Sequence, residues 1–502
     1  GLLLAERGDL AAAEAAWRRA EAAFGVLGDE VHRQVALGRI GLARCLIDRS
    51  DTGADLVETA AAYLVAHGEP KRKASALSWL GTLRLIQGRP DAALTTLDEA
   101  ARHAEAAAEP LLSAEIATRR LHCLIALGHS DLAEAAAALR EQCRAVGSPH
   151  LCEAAIQHGL MLAEGGQLDA ALDAFDEALR NATDLRSRLD ALLGRGQVLS
   201  AMERVEEALP DLTEAVAVAT EQGTPADAAF ARFELAQAYR QAGRLLDAAE
   251  TGEEAVAELD RLGAQDAADR CRYLLVTTYR AMGETEPALA LLDTLATNLD
   301  GFDNLAARSG MHEEAGDLLF HSDRDREAAE RYRTAAEGYR TAAEPVDYVR
   351  ALRKRIAALR WSDQPQPALD TLPEAEAAAA RLPDGQPEAG FEQAKLRYEA
   401  AGLLASVGRE AEALERIDGV PDLLRALGAG DDAAMAELMH GEVLLRLGRV
   451  EPAEPKLRTA LRELPRGSDP GRQTAWLLAE ALTQLGRDRE AAALRAEFGL
   501  PE

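Results

Sequence analysis

Aromatic side chains are scarce in this chain: 502 residues hold eight Phe, four Trp and eight Tyr. A β-sandwich or a large α/β core leans on rings and branched residues, so the balance of 4% aromatic and 48% hydrophobic residues points to helices packed through Ala and Leu. The five cysteines, Cys45, Cys123, Cys143, Cys152 and Cys271, are odd in number and scattered, which implies no disulfide framework and fits a reducing compartment. No stretch approaches the roughly 20 apolar residues of a membrane helix. The opening LLLA is too short for a signal core and lacks a basic leader, so a cytoplasmic setting is expected.

Reactive signatures are missing as well. There is no G-x-x-x-x-G-K-[ST], no H-E-x-x-H and no G-x-S-x-G, so no enzymatic activity and no cofactor are expected. The interval holding His122, Cys123, His129, Cys143, His150, Cys152 and His158 is dense in metal-ligand types, but it contains no C-x-x-C pair, and no metal site is assigned. Acidic residues number 85 against 56 Lys and Arg, a formal net charge of -29. A surface dominated by carboxylates repels phosphates, which argues against direct nucleic-acid binding or an anionic membrane.

What the chain does have is a period. A turn residue, usually Gly, recurs at 8, 48, 88, 128, 166, 203, 243, 283, 323, 363, 408, 448 and 486, thirteen copies in steps close to 40. The clearest copies are GDLAAAEAAWRRA from Gly8, GRPDAALTTLDEA from Gly88, GQLDAALDAFDEA from Gly166, GRLLDAAETGEEA from Gly243 and GRVEPAEPKLRTA from Gly448. Five residues after every anchor stands a small residue, Ala13, Gly53, Ala93, Ala133 and so on to Ala491. Seven residues before it the residue is again often small, as at Gly41, Gly81, Gly159, Gly196, Gly316 and Gly441. Larger residues stand nine positions after it, among them Leu97, Phe175, Leu212, Tyr332 and Leu457. Small residues at two fixed heights let antiparallel helices approach closely, while the larger ones fill the space between. In four copies Pro90, Pro287, Pro367 and Pro452 fall in the opening turn of the second helix, where a missing N–H is tolerated. Each copy therefore predicts a helix hairpin that buries its apolar faces only by stacking on its neighbours.

This pattern resembles the tetratricopeptide repeat family, in a long variety of about 40 residues per unit where about 34 is standard, like that of bacterial signalling regulators and kinesin light chain. The resemblance covers almost the whole chain and implies an all-α fold: an α-solenoid of stacked helix-turn-helix repeats forming a right-handed superhelix. Residues 1–502 are expected to form one solenoid of about thirteen units, with a hinge near 297–304 or 381–390. Gly1 stands in place of Met and the first copy begins inside its first helix, so a further segment is expected upstream.

In the family, a concave wall is built from the first helix of each hairpin, at positions about 13, 10, 6 and 3 residues before the anchor. Early copies are bland there, with Leu42, Cys45, Ser75, Ser78, Thr82 and Leu85. From the sixth to the eleventh copy the wall carries Gln197, Gln237, Arg240, Arg270, Tyr273, Thr277, Arg280, Arg350, Arg353, Arg360, Lys395 and Tyr398, with Glu313 and Asp317 interleaved. Guanidinium groups in a groove take carboxylates bidentately, so an acidic protein or peptide partner is one expectation. The other is that these cations pair with acids of adjacent copies and stitch the wall. The two-carboxylate clamp of some family members needs Lys and Asn where Gln, Thr or Arg stand here, which argues against chaperone-tail recognition.

Two functions follow from the resemblance. One is a protein–protein interaction scaffold or adaptor. The alternative is the sensory or autoinhibitory arm of a larger bacterial regulator, a nucleotide-switched transcription factor or a caspase-like protease system. The bacterial setting rests on the dominance of Arg over Lys, which appears only at Lys71, Lys73, Lys354, Lys395 and Lys456. Self-association through the last helix, which keeps Leu494, Phe498 and Leu500, is a further expectation.

Overall fold

The computed structural model describes residues 10–48, 51–299, 304–383 and 385–501. Among these, every regular element is an α-helix. The chain divides into two compact units, residues 1–264 and 265–502.

In the first unit, α1 (Leu10–Leu27) is followed by the hairpins α2 (Glu30–Asp48) with α3 (Ala54–His67), α4 (Pro70–Ile86) with α5 (Pro90–Ala106), and α6 (Pro110–Ala126) with α7 (Leu132–Val146). It continues with α8 (Leu151–Glu164) and α9 (Leu168–Asn181), α10 (Leu185–Ala201) and α11 (Val205–Gln222), and α12 (Pro225–Gln241) and α13 (Leu245–Arg261). The second unit holds α14 (Gln265–Met282) with α15 (Thr285–Asn298), α16 (Leu305–His321) with α17 (Asp325–Ala342), and α18 (Pro345–Trp361) with α19 (Pro365–Ala379). Next comes α20 (Pro387–Ser406), whose partner is broken into α21 (Glu410–Ile417) and α22 (Val420–Ala426). The unit closes with α23 (Gly430–Arg446) and α24 (Val450–Glu463), then α25 (Asp469–Gln484) and α26 (Asp488–Phe498).

The anchor has a backbone meaning. Eleven of the thirteen, Gly88 to Gly486, adopt positive φ between 57° and 78°. They close the first helix of each hairpin: Gly88 N–H donates to Leu85 O at 2.9 Å and Arg89 N–H to Arg84 O at 2.9 Å, the double bond that satisfies the last carbonyls of a helix. Glycine is favoured there because a Cβ strains this conformation, yet Glu203, Asp323 and Asp363 adopt it too. Gly8 lies outside the described residues. Asp48 differs, being the last helical residue of α2.

The hairpins lock through the predicted residue pair. Gly81, Gly196, Gly316 and Gly441 lie so close to Leu97, Leu212, Tyr332 and Leu457 that a Cβ would stand 2.6 Å from each plug. The plugs are at most 2% exposed, and each contributes about 1.5–3 kcal/mol by burial. The fourth copy departs from the pattern. Its second helix starts at Leu132, behind a longer turn, so Ala133 is exposed and Ala136 takes the buried place. Several successive first helices touch one another, α2 with α4, α8 with α10, α18 with α20 and α20 with α23, while no pair of successive second helices is in comparable contact among the described residues. Of the two expected hinge segments, 297–304 includes residues 300–303 and 381–390 includes residue 384, all outside the described residues, and the second segment overlaps the start of α20.

Candidate binding face

The cations of the second unit stand on first helices because each hairpin turns at its anchor and places the wall positions in rows. Arg350 and Arg353 lie on the first half of α18, Arg360 on its last turn, and Lys395 on α20. All four have acidic partners one repeat away. Arg350 forks onto Glu313 of α16, Nε to Oε1 at 2.7 Å and a terminal nitrogen to Oε2 at 2.9 Å. Arg353 Nε donates to Glu392 of α20 at 2.8 Å, Arg360 to Glu399 at 3.2 Å, and Lys395 to Asp432 of α23 at 2.6 Å. Lys354 adds Asp317 at 2.7 Å and Glu313 at 2.8 Å.

Glu313 is the centre of this network. It is 6% exposed and also accepts the Tyr339 hydroxyl at 2.9 Å. Burial alone would raise its carboxyl, but the hydrogen bond from Arg350 and the charge of Lys354 outweigh it and hold the group at about 2. Hydrogen bonding to the same carboxylate pushes Arg350 upward, and burial beside Glu313 does the same to Tyr339. Arg360 lies 4.9 Å over the Trp361 ring and packs at Gly402, where a Cβ would meet its Cζ at 3.5 Å.

The other predicted positions differ. On α14, Arg270 is exposed, Tyr273 is 43% exposed, and Arg280, with its side chain 55% exposed, reaches Glu314 of α16 at 3.2 Å. In the first unit Gln197 on α10 and Gln237 on α12 are half-buried, and Arg240 is exposed. Burial raises the Glu234 carboxyl, opposed by a hydrogen bond from Gln197. Among the described residues Arg240 and Arg270 make no ion pair. Lys354, Glu392, Glu399 and Asp432 were not singled out from the sequence. The signal that could have found them is opposite charge one repeat apart, at 37 for Lys354 and Asp317 and at 39 for Arg353 and Glu392.

No group of three or more His, Cys, Asp and Glu is arranged to hold a metal ion among the described residues. In the ligand-rich interval, Glu153 instead sits between His122 at 3.0 Å and His150 at 3.4 Å, and all five cysteines are buried and outside any disulfide. No described helix is long and apolar enough to cross a membrane.

Residues 187–257, from α10 to α13, match the tetratricopeptide repeat family model. Residues 187–257 carry tetratricopeptide repeats. Solved structures of similar architecture include a putative kinesin light chain with nearly identical TPR-like repeats from Podosopora anserina, 19% identical over 40% of this chain and 98% of that one, with a TM-score of 0.33. The apo quorum sensor NprR from B. thuringiensis is 14% identical over 72% and 99%, at 0.38. A Rap protein complexed with Competence and Sporulation Factor is 15% identical over 70% and 98%, at 0.31. Comparison with curated proteins gives no match. The pairing just described divides the wall residues into two classes.

Proposed function

We propose that this chain is an interaction scaffold whose first helices take a peptide or protein segment bearing carboxylates. The observation that carries this reading is the division on the wall. Arg350, Arg353, Arg360 and Lys395 already hold acids of the neighbouring repeats, whereas Arg240 and Arg270 are exposed without an acidic partner. Contact with the partner therefore falls to Gln197, Gln237 and Arg240 in the first unit and to Arg270, Tyr273 and Arg280 in the second. Glutamine side chains donate to and accept from a peptide backbone, arginines take its carboxylates, and Tyr273 supplies an amphipathic surface. The paired cations keep the wall rigid beneath.

The test is fluorescence anisotropy with labelled peptides graded in carboxylate content. Glutamate-rich peptides should bind, and Arg240→Glu and Arg270→Glu should each weaken them about tenfold, the loss of one charge-assisted contact. Equal binding of glutamate-rich and lysine-rich peptides would remove the acidic-partner reading.

A further inference from the structure

We propose that the groove between α24 and α26, floored by α25, docks an acidic amphipathic helix of a partner protein. The two edges of this groove are second helices, and its floor is the first helix α25 through Leu478 and Leu482, which are not wall positions, so the inference does not rest on the function proposed above.

The groove encloses about 720 Å³ and continues past Arg466 and Phe498 into a second hollow of about 530 Å³. Its apolar lining runs in rows. Leu478 and Leu482 are four apart on α25, both 2% exposed, and form the floor; Leu494 and Phe498 are four apart on α26, half-buried, and form one wall. Rows with this spacing are the ridges into which another helix fits its own, so the surface suits a helix better than an extended strand.

Charge selects the kind of helix. Arg458 and Arg462 stand four residues apart on α24, Arg466 stands in the turn that follows it, and Arg472 on the first turn of α25. The acids of the lining are Glu490 and Glu497, so four guanidiniums face two carboxylates, a local excess of two positive charges (4 − 2) in a chain of net charge -29. Arg458 and Arg466 are paired, to Glu454 at 2.5 Å and to Glu497 at 3.0 Å. Arg462 meets only a backbone carbonyl, that of Arg458 at 3.2 Å, and Arg472 makes no ion pair among the described residues. A helix with a leucine row flanked by glutamates satisfies both features, because it covers the apolar floor and brings carboxylates to Arg462 and Arg472. A second copy of this acidic chain is disfavoured by mutual repulsion.

The experiment uses the whole chain and two labelled synthetic helices of about 18 residues, roughly five turns. They share a leucine row and differ in bearing Glu or Lys beside it. The acidic helix should bind at least about tenfold more tightly than the lysine twin. Arg462→Glu and Arg472→Glu, both exposed and checked for an unchanged circular dichroism spectrum, should each weaken it severalfold, and Ala493→Trp should block the groove. Indistinguishable affinities for the two helices, or an acidic helix indifferent to Arg462→Glu, would overturn the assignment. So would a dimer in light scattering that Ala493→Trp dissociates, because the occupant would then be a second copy.

Discussion

The Phe175 ring lies against the backbone of Gly194, where a Cβ would stand 2.2 Å from its Cε1. Gly159 flanks the same ring, with a Cβ there at 3.0 Å, so one buried aromatic plugs two successive first helices. In a free helix Ala is better than Gly by about 1 kcal/mol, and overpacking a tight core costs about 1–3 kcal/mol. With the Cβ as close as 2.2 Å, the cost should lie toward the upper end, and Gly194→Ala should be net destabilising by up to roughly 2 kcal/mol, seen as a lower melting temperature. Adding Phe175→Leu should restore part of the loss, and a Gly194→Ala variant as stable as the parent would contradict the close approach.

At the hairpin turns the reverse substitution helps. Glu203 sits at φ 60°, exposed, in a conformation where Gly is unstrained. Glu203→Gly should stabilise by about 0.5–1 kcal/mol, less than the full left-handed penalty because Gly gives up more entropy on folding. Gly243→Ala, at φ 72°, should destabilise by about 1 kcal/mol. Thermal melts of the pair, moving in opposite directions, are the check.

Acid should loosen the second unit through Glu313. Folding lowers its carboxyl from 4.5 to about 2, so its contribution is complete above pH 4.5 and is lost as the pH falls through about 2. Stability measured by urea titration between these limits should fall by a few kcal/mol, and Glu313→Gln should flatten that part of the profile. An unaltered slope in the variant would show that other carboxylates carry it. Glu177, held at about 2 by hydrogen bonds from Arg144 and Arg140, should add a similar acid-sensitive step in the first unit.

Pairing and binding should separate by mutation. Arg353→Ala leaves Glu392, 5% exposed, without its cation, and breaking such a buried pair costs about 3–5 kcal/mol. Arg240→Ala, exposed and unpaired, should change stability by less than about 0.5 kcal/mol while weakening acidic peptides. Denaturation and anisotropy on the same two proteins decide the matter: equal destabilisation would mean that Arg240 is structural.

The hairpin phase was legible because three separate constraints recur at one spacing. The left-handed anchor, the close approach at Gly81 or Gly316 and the plug at Leu97 or Tyr332 each restrict residue type. The slip at Ala133 was not legible, since the run from Ala135 to Ala138 offers interchangeable small residues and only the later start of α7 selects Ala136. Cations on the wall could be read directly. Their partners were only half legible: opposite charge one repeat apart marks Glu392 as a candidate for Arg353, but whether the two meet depends on how closely α18 and α20 lie, a distance that no local pattern encodes. The broken helix at Asp418–Gly419 was equally hidden: Gly419 takes φ 74°, and Arg397 reaches the carbonyls of Arg416 and Asp418.

Cross-repeat bonds such as Arg350 to Glu313 and Arg353 to Glu392 also have a mechanical consequence. A stack held only by grease between neighbours peels one layer at a time when stretched, each layer yielding at a small and similar force. Here α16, α18 and α20 are riveted in series by buried ions, so under tension these layers should give way together in one larger rupture.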